Sequence, residues 1–190
     1  MVLGTDAEHP DPNPWDDRAV RLSALSVAVV VTAFLVSGAS AASGSVYRAA
    51  RVIDGDTIEL GNGRHVRLVQ IDTPEVFFGV ECYGKAASAT TKRLLPKGTR
   101  VRLQLEPATE RVDRYGRLLR YVIRARDGLN VNVRLVAVGA AAPWFFEGER
   151  GRYAARLNSL ALRAKAHGLG LWGACPHTAY DPSRAVTTVR

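Results

Sequence analysis

Alternation of apolar and polar residues predicts five short strands along the chain. Asp54-Gly55-Asp56 and Gly61-Asn62-Gly63 are turn signals that separate the first three strands. Pro74 ends the third, because proline cannot continue a central ladder. The predicted strands are Val46–Ile53, Thr57–Leu60, His65–Ile71, Arg100–Glu106 and Arg117–Arg124.

Three other segments carry alanine, leucine and valine at helical spacing, which predicts the helices Tyr83–Leu95, Asn130–Val138 and Gly148–His167. The first ends at a Pro-Lys-Gly sequence and the last at two glycines, both of which are typical of helix C-termini. The order of elements predicts an α+β fold. We expect a small closed barrel of five strands, of the oligonucleotide-binding (OB) type, with the three helices packed outside it.

A different pattern occupies Leu22–Val36, which is apolar, rich in small residues and uncharged. Two arginines precede this run, and Ala39-Ser40-Ala41 after it fits a signal-peptidase site. A buried core helix would show polar positions at helical spacing, and this run shows only small hydroxyls. Two interpretations are open: residues 1–41 form a cleavable export signal, or residues 22–42 are retained as a membrane anchor. Both place the remaining chain outside the cytoplasm.

The length and charge of the chain narrow the function. Its 190 residues allow one domain of ordinary size, and 47% apolar residues exclude wholesale disorder. The whole chain has a net charge of +8. Residues 1–41 hold five acidic residues and two arginines, a net charge of −3, so the rest of the chain has a net charge of +11. A domain that basic favours a polyanionic partner. We expect the domain to span residues 45–175, followed by a loose tail over 176–190.

Two acidic motifs end up near each other in the predicted barrel. Asp54-Gly55-Asp56-Thr57 and Asp72-Thr73-Pro74-Glu75 are each ordinary turn or strand-end sequences when taken alone. They flank two neighbouring strands, so their ends can converge at one rim. Two carboxylates with a nearby backbone carbonyl form the kind of ligand set that a hard cation such as Ca²⁺ requires.

Two arginines lie close to these acids along the chain. Arg67 is on the third predicted strand, five positions before Asp72, and Arg117 follows the Tyr115-Gly116 turn. The ordinary interpretation of an arginine in a basic domain is a solvated surface charge. Beside a metal-bound phosphate, however, a guanidinium can neutralise the charge that builds in the transition state, and it does so bidentately.

Four sequence blocks in register resemble the thermonuclease family, typified by staphylococcal nuclease. They read VIDGDTIEL, VRLVQIDTPE, YGKAASATTKRLL and DRYGRLLRYV, and the resemblance runs from about Ser45 to about Trp172. It implies an OB barrel and Ca²⁺-dependent hydrolysis of phosphodiester bonds in DNA and RNA, with 3′-phosphorylated products.

The resemblance also implies a role for each of the matching residues. Asp56 and Asp72 resemble the calcium carboxylates and Thr73 the carbonyl ligand. Arg67 and Arg117 resemble the catalytic arginines, and Glu75 the acid that acts as general base for the attacking water or orients it. Substrate-binding roles fall on Arg114 and Tyr115, which would contact a terminal phosphate, and on Trp144 and Phe145, which stand where the family stacks a base on tyrosines.

Two other classes of protein compete with the enzyme. OB barrels also occur as non-catalytic nucleic-acid-binding modules, and a lipid-surface protein would explain the basic charge but not the acids. We expect a monomeric nuclease acting on DNA and RNA without a small-molecule cofactor, either secreted or anchored to the membrane through residues 22–42.

The two cysteines, Cys82 and Cys175, are too few for a disulfide-rich scaffold or a four-thiolate zinc site. An oxidising exterior makes pairing the natural fate of two thiols within reach of each other. We therefore expect a disulfide between them. Two unpaired thiols are the alternative, since the sequence does not give the distance between the Cα atoms.

Overall fold

The computed structural model describes residues 45–77 and 79–182. Seven strands occur in this part of the chain, and four of them are short. They are β1 (Val46–Val52), β2 (Thr57–Leu60), β3 (His65–Leu68), β4 (Ile71–Asp72), β5 (Arg100–Gln104), β6 (Leu118–Arg124) and β7 (Ala142–Pro143). The helices are α1 (Gly84–Leu94), α2 (Val131–Ala137), α3 (Ala154–Ala166) and the single turn α4 (Leu171–Ala174), with a 3₁₀ turn over Phe146–Gly148.

Five of the strands close into a barrel in the order β1-β2-β3-β6-β5. β3 pairs with β6 in parallel, and the other neighbours pair antiparallel. Inward-facing side chains such as Ile58, Val66, Val101 and Val122 are fully buried. Because successive side chains of a strand point to opposite faces, this burial produces the apolar–polar alternation from which the strands are predicted. The predicted barrel of five strands with three packed helices is therefore confirmed.

The third predicted strand, His65–Ile71, is wrong at its end, because β3 stops at Leu68. Gln70 breaks it: its φ of 62° is left-handed, and its buried amide accepts from the Tyr121 hydroxyl at 2.6 Å and donates to the Glu149 carbonyl at 3.0 Å. The chain then forms β4, which pairs with β7 instead of continuing the barrel. This break places Asp72 opposite Ala142 of β7.

The helices begin and end close to their predicted positions, except that α3 begins at Ala154 instead of Gly148. Asn130 caps α2 by accepting from the Val133 N–H at 3.1 Å. The buried Asn132 fixes the same helix to the barrel, because its Oδ1 accepts from the Val122 N–H at 3.0 Å and its Nδ2 donates to the Val69 carbonyl at 2.9 Å. α2 thus packs on the barrel next to the break at Gln70.

The predicted signal or anchor over residues 1–41 and 22–42 lies outside the described residues, as does the tail beyond residue 182. Across 45–77 and 79–182, no helix combines the length and apolarity that a membrane span needs.

Candidate nuclease-like site

The turn between β1 and β2 packs directly against the end of β4. A Cβ atom on Gly55 would collide with the Thr73 side chain, so only glycine allows this approach. The Thr91 hydroxyl of α1 donates a hydrogen bond to the Gly55 carbonyl at 2.5 Å, so α1 also holds the turn. Asp54 closes the turn by accepting from the Asp56 and Thr57 N–H groups at 3.0 and 2.6 Å. The two acidic motifs of the sequence are therefore in contact, as their spacing predicts.

Arg67 of β3 joins the carboxylates of the two motifs. Its guanidinium forms an ion pair with Asp56 and a second one with Asp72, whose Oδ1 lies 2.8 Å from Nη2. Asp56 Oδ2 also accepts hydrogen bonds from the N–H and the hydroxyl of Thr73, both at 2.9 Å. All four side chains are buried or nearly so, which makes this a low-dielectric cluster in which charges interact strongly.

Burial sets the proton affinities in this cluster. It lowers the pKa of the Arg67 guanidinium, an effect that the Asp72 carboxylate opposes and the nearby Arg117 reinforces. Burial also raises the pKa of Asp54, against the attraction of Arg67. Glu75 contributes to the same rise, so its carboxylate is close enough to be felt electrostatically by Asp54.

Arg117, the residue before β6, lies at the same site. Its Nε donates to Asp113 Oδ2 at 2.7 Å, which fixes the base of the guanidinium, and its Nη1 lies 3.5 Å from the Thr57 hydroxyl, next to Asp56. Tyr115 is 67% exposed, and its ring lies under two guanidiniums, with Arg114 Cζ at 4.9 Å and Arg117 Cζ at 5.3 Å from the centroid. The predicted residues Arg114, Tyr115 and Arg117 thus form one exposed edge of the site.

The aromatic residues after β7 divide between the site and the core. Trp144 lies beside Arg67, whose Cζ is 5.9 Å from its ring, and the Trp144 ring is 5.7 Å from that of Phe146. Phe145 points the other way: it is 2% exposed and belongs to the hydrophobic core. Its predicted role as a stacking platform is therefore wrong. Phe146, at 52% exposure, offers its ring to solvent instead.

Glu75 lies in the loop between β4 and α1, and the loop holds its carboxylate. Glu75 Oε1 accepts from the N–H groups of Val76 and Phe77 at 2.9 and 3.1 Å. Glu81 closes the loop, because its Oε2 accepts from the Glu75 N–H at 2.8 Å and its N–H donates to the Glu75 carbonyl at 2.9 Å. The orientation of the Glu75 carboxylate is thus fixed by backbone groups of its own loop.

A disulfide between Cys82 and Cys175 ties the end of this loop to the C-terminal segment, with 5.9 Å between the Cα atoms. This pairing is the one expected from the sequence. The segment it anchors returns to the site, where the Tyr180 hydroxyl lies 3.4 Å from Asp72 Oδ2 and 3.3 Å from Glu81 Oε2. Tyr180 belongs to the tail over residues 176–190 that was predicted to be loose, so part of this tail contacts the site. No sequence motif predicts this contact.

The donor set at the rim suits a hard cation. Within the described residues, no group of three or more histidine, cysteine, aspartate or glutamate side chains is arranged to hold a metal. The rim instead offers the oxygens of two carboxylates, Asp56 and Asp72, which already share one positive partner, Arg67. Oxygen ligands of this kind, completed by water, match the preference of Ca²⁺.

Comparison with known proteins places this arrangement among nucleases. The family described as staphylococcal nuclease homologue matches residues 65–174. The chain is similar to a thermonuclease of Staphylococcus intermedius, with 37% identity over 135 residues that cover 68% of this chain and 77% of that protein. A thermonuclease of Staphylococcus hyicus is 34% identical over 145 residues, covering 73% and 82%. Endonuclease YncB of Bacillus subtilis (strain 168) is 36% identical over 129 residues, covering 64% and 59%.

Proposed function

Because the chain belongs to the staphylococcal nuclease homologue family and is a nuclease, we propose that it hydrolyses phosphodiester bonds of both DNA and RNA in a Ca²⁺-dependent reaction. The observation that carries the proposal is the pairing of one guanidinium, Arg67, with two carboxylates, Asp56 and Asp72, beside a second arginine, Arg117. A protein that only binds nucleic acid has no need of this buried cluster.

The ion in the proposal is bound by the Asp56 and Asp72 carboxylates and the Thr73 carbonyl. When bound, Ca²⁺ supplies Lewis-acid stabilisation of the phosphate and a template for its orientation. The remaining work falls on side chains. Arg67 and Arg117 donate hydrogen bonds to the phosphate oxygens and neutralise the charge that builds on them in the transition state.

Water is the nucleophile in this proposal. Its oxygen forms a bond to phosphorus while the bond from phosphorus to the 5′ oxygen breaks, which leaves a 3′-phosphate and a 5′-hydroxyl. Glu75 takes the proton of the attacking water or orients that water, and the hydrogen bonds from Val76 and Phe77 hold its carboxylate in place. The leaving 5′ oxygen is protonated by solvent.

Substrate contacts extend from the reacting phosphate on both sides. Arg114 and Tyr115 meet a terminal phosphate, and the Trp144 ring stacks on a base, with Phe146 next to it in place of Phe145. These contacts keep the substrate in register with the two arginines.

We also propose that the nuclease domain, residues 45–175, acts as a monomer outside the cytoplasm, either secreted or held at the membrane by residues 22–42. The disulfide between Cys82 and Cys175 supports this location, because structural disulfides persist in oxidising compartments.

The proposal is tested by incubating the full chain with plasmid DNA and, separately, with RNA, in Ca²⁺ or in excess chelator. We expect both substrates to be cleaved with Ca²⁺, cleavage to stop with chelator, and the products to carry 3′-phosphates. Cleavage at an undiminished rate in excess chelator would contradict the role of the acids.

A further inference from the structure

A groove lies on the barrel where β5 and β6 meet α2 and α3, and its volume is about 780 Å³. Half-buried apolar side chains, among them Leu103, Ile123 and Leu160, form part of its lining. Three arginines surround them: Arg102 from β5, Arg134 from α2 and Arg156 from α3. We call this feature the basic groove.

The three arginines of the basic groove carry uncompensated charge. None of the described residues that line the groove is acidic. Within the described chain, the guanidiniums of Arg102, Arg134 and Arg156 make no ion pair and no hydrogen bond. Arg134 and Arg156 are exposed and Arg102 is half-buried. Three positive charges brought together from three different elements without an acid repel one another, and an anionic ligand would relieve that repulsion.

The positive surface continues beyond the basic groove. A second hollow, of about 420 Å³, shares Arg102 with it and is lined by four more arginines: Arg93, Arg100, Arg124 and Arg126. Among the residues that the structure describes, only Arg124 and Arg126 meet an acid, Asp127, with which both form ion pairs. A ligand on this face therefore meets several positive charges in succession, as a polymer with repeated negative charges does and a single small anion does not.

We propose that the basic groove binds a second segment of the nucleic-acid strand whose phosphodiester bond is cleaved at the site of Arg67 and Arg117. This inference rests on the proposed function, which makes nucleic acid the substrate. Phosphates of a single strand would meet the arginines, and its bases would cover the apolar side chains of the lining, since single-strand sites combine positive charge with apolar contact to bases.

The position of the groove sets the length of strand that can use it. Arg117, at the cleavage site, directly precedes β6, and the groove residue Ile123 lies near the other end of that strand. At about 3.3 Å per residue these ends are about 20 Å apart. A strand that keeps duplex-like stacking advances about 3.4 Å per nucleotide and needs about six nucleotides to cover this distance, and an extended strand, whose phosphates are farther apart, needs fewer. A dinucleotide is too short in either form and contacts the cleavage site alone.

The test compares two triple variants of the full chain that remove equal charge. One carries Arg102→Gln, Arg134→Gln and Arg156→Gln. The control carries Arg64→Gln, Lys92→Gln and Arg163→Gln, three exposed cations outside the groove lining that make no ion pair in the described chain. Binding of a labelled dinucleotide and of a labelled single strand of 20 nucleotides is measured in excess chelator over a range of salt, and cleavage of the dinucleotide is measured separately with Ca²⁺. Melting temperatures report folding.

We expect the groove variant to bind the 20-mer about tenfold more weakly and the salt slope of its affinity to fall by about 2, because each single-strand phosphate contact contributes about 0.7. Binding of the dinucleotide and its cleavage stay as in the parent, and the control variant keeps the parent slope. Equal losses in the groove and control variants overturn the proposal. Binding to phosphatidylserine vesicles is measured for the same variants. If the groove variant lost vesicle binding but kept the parent affinity for the 20-mer, the groove would be assigned to lipid and the proposal would be overturned. Absence of cleavage by the parent enzyme contradicts the proposed function and leaves the binding result to be judged by itself.

Discussion

The rim of the candidate site (Asp56, Arg67, Asp72 and Arg117) and the basic groove use the same residue type in opposite ways. At the rim, Arg67 is paired with two buried acids and Arg117 with Asp113, so each guanidinium has a fixed direction. In the groove, three arginines are held on separate elements and lack acidic partners among the described residues. Buried pairing orients a charge at a reacting atom, whereas unpaired charge attracts a polyanion without fixing its position.

The most demanding test of this contrast is replacement of one rim arginine. We expect Arg67→Ala and Arg117→Ala each to lower kcat by about 10²–10³, the scale for loss of one preorganised charge stabiliser. The lysine variants should recover little of this, because an ammonium lacks the bidentate fork. The measurement is kcat at saturating DNA.

Arg64→Ala is the matched control for these variants, because Arg64 is exposed, close in sequence to Arg67 and without an ion pair among the described residues. It should keep the kcat of the parent. A rim variant with kcat close to that of the parent would withdraw the catalytic role of that arginine.

The rim also depends on a covalent tie. The Cys82–Cys175 disulfide joins the loop that carries Glu75 to the C-terminal segment, across a sequence separation of 93 residues. We expect Cys82→Ser with Cys175→Ser to lower the free energy of unfolding by about 2–4 kcal/mol, through greater freedom of the unfolded chain. Urea unfolding of the parent and of the double variant measures the difference. Equal midpoints and equal slopes would show that the tie contributes nothing.

The aromatic residues of the rim can be separated from those of the core. Trp144→Ala should weaken binding of a single-stranded oligonucleotide by about 1–3 kcal/mol, because a stacking platform is lost. Phe145→Ala should lower the melting temperature instead, because Phe145 is 2% exposed. Anisotropy titrations and thermal unfolding of both variants check this. If Trp144→Ala affected only stability, Trp144 would be a core residue as well.

Glu106 is a buried, paired carboxylate outside the rim. Burial alone would raise the pKa of this carboxyl, but hydrogen bonds from the Arg152 and Ala108 N–H groups, at 2.9 and 3.1 Å, outweigh it and lower the pKa. A lowered pKa in the folded state means that the ionised form stabilises the fold above the unfolded pKa of about 4.3. That stability is lost as pH falls through the lower, folded value.

We therefore expect Glu106→Gln to reduce the free energy of unfolding at pH 7 by about 1–2 kcal/mol, with kcat unchanged. The parent and the variant should converge in stability as the pH falls below about 4. Denaturant unfolding at several pH values measures this. A constant gap between the two proteins across the acid range would exclude the charge of Glu106 as the cause.

The sequence predicts most of the barrel because its strands each bury one face. The break at Gln70 escaped prediction, since its left-handed backbone depends on partners as distant as Tyr121 and Glu149. The sides that the aromatic residues after Pro143 face could, however, have been predicted from the sequence. Two-residue alternation after Pro143 places Trp144 and Phe146 on one side and Phe145 on the other, which a strand-based reading would have found.

Local sequence motifs predict the residues of the rim, whereas a contact between residues far apart in the sequence was not predicted. Asp56, Asp72, Arg67 and Arg117 lie in short conspicuous segments; the Gly55 turn brings the two acidic motifs together, and Arg67 pairs with an acid of each. The contact of the Tyr180 hydroxyl with Asp72 spans 108 residues and depends on the disulfide that anchors its segment, so no local pattern encodes it.

Steady-state kinetics on a short and a long single strand test the division of labour between the rim and the basic groove most directly. We predict that Arg67→Ala lowers kcat on both substrates, whereas the triple variant Arg102→Gln, Arg134→Gln, Arg156→Gln raises KM on the long strand alone and keeps kcat on both. A fall in kcat on the short strand in the groove variant, or an effect of Arg67→Ala confined to KM, would contradict the account.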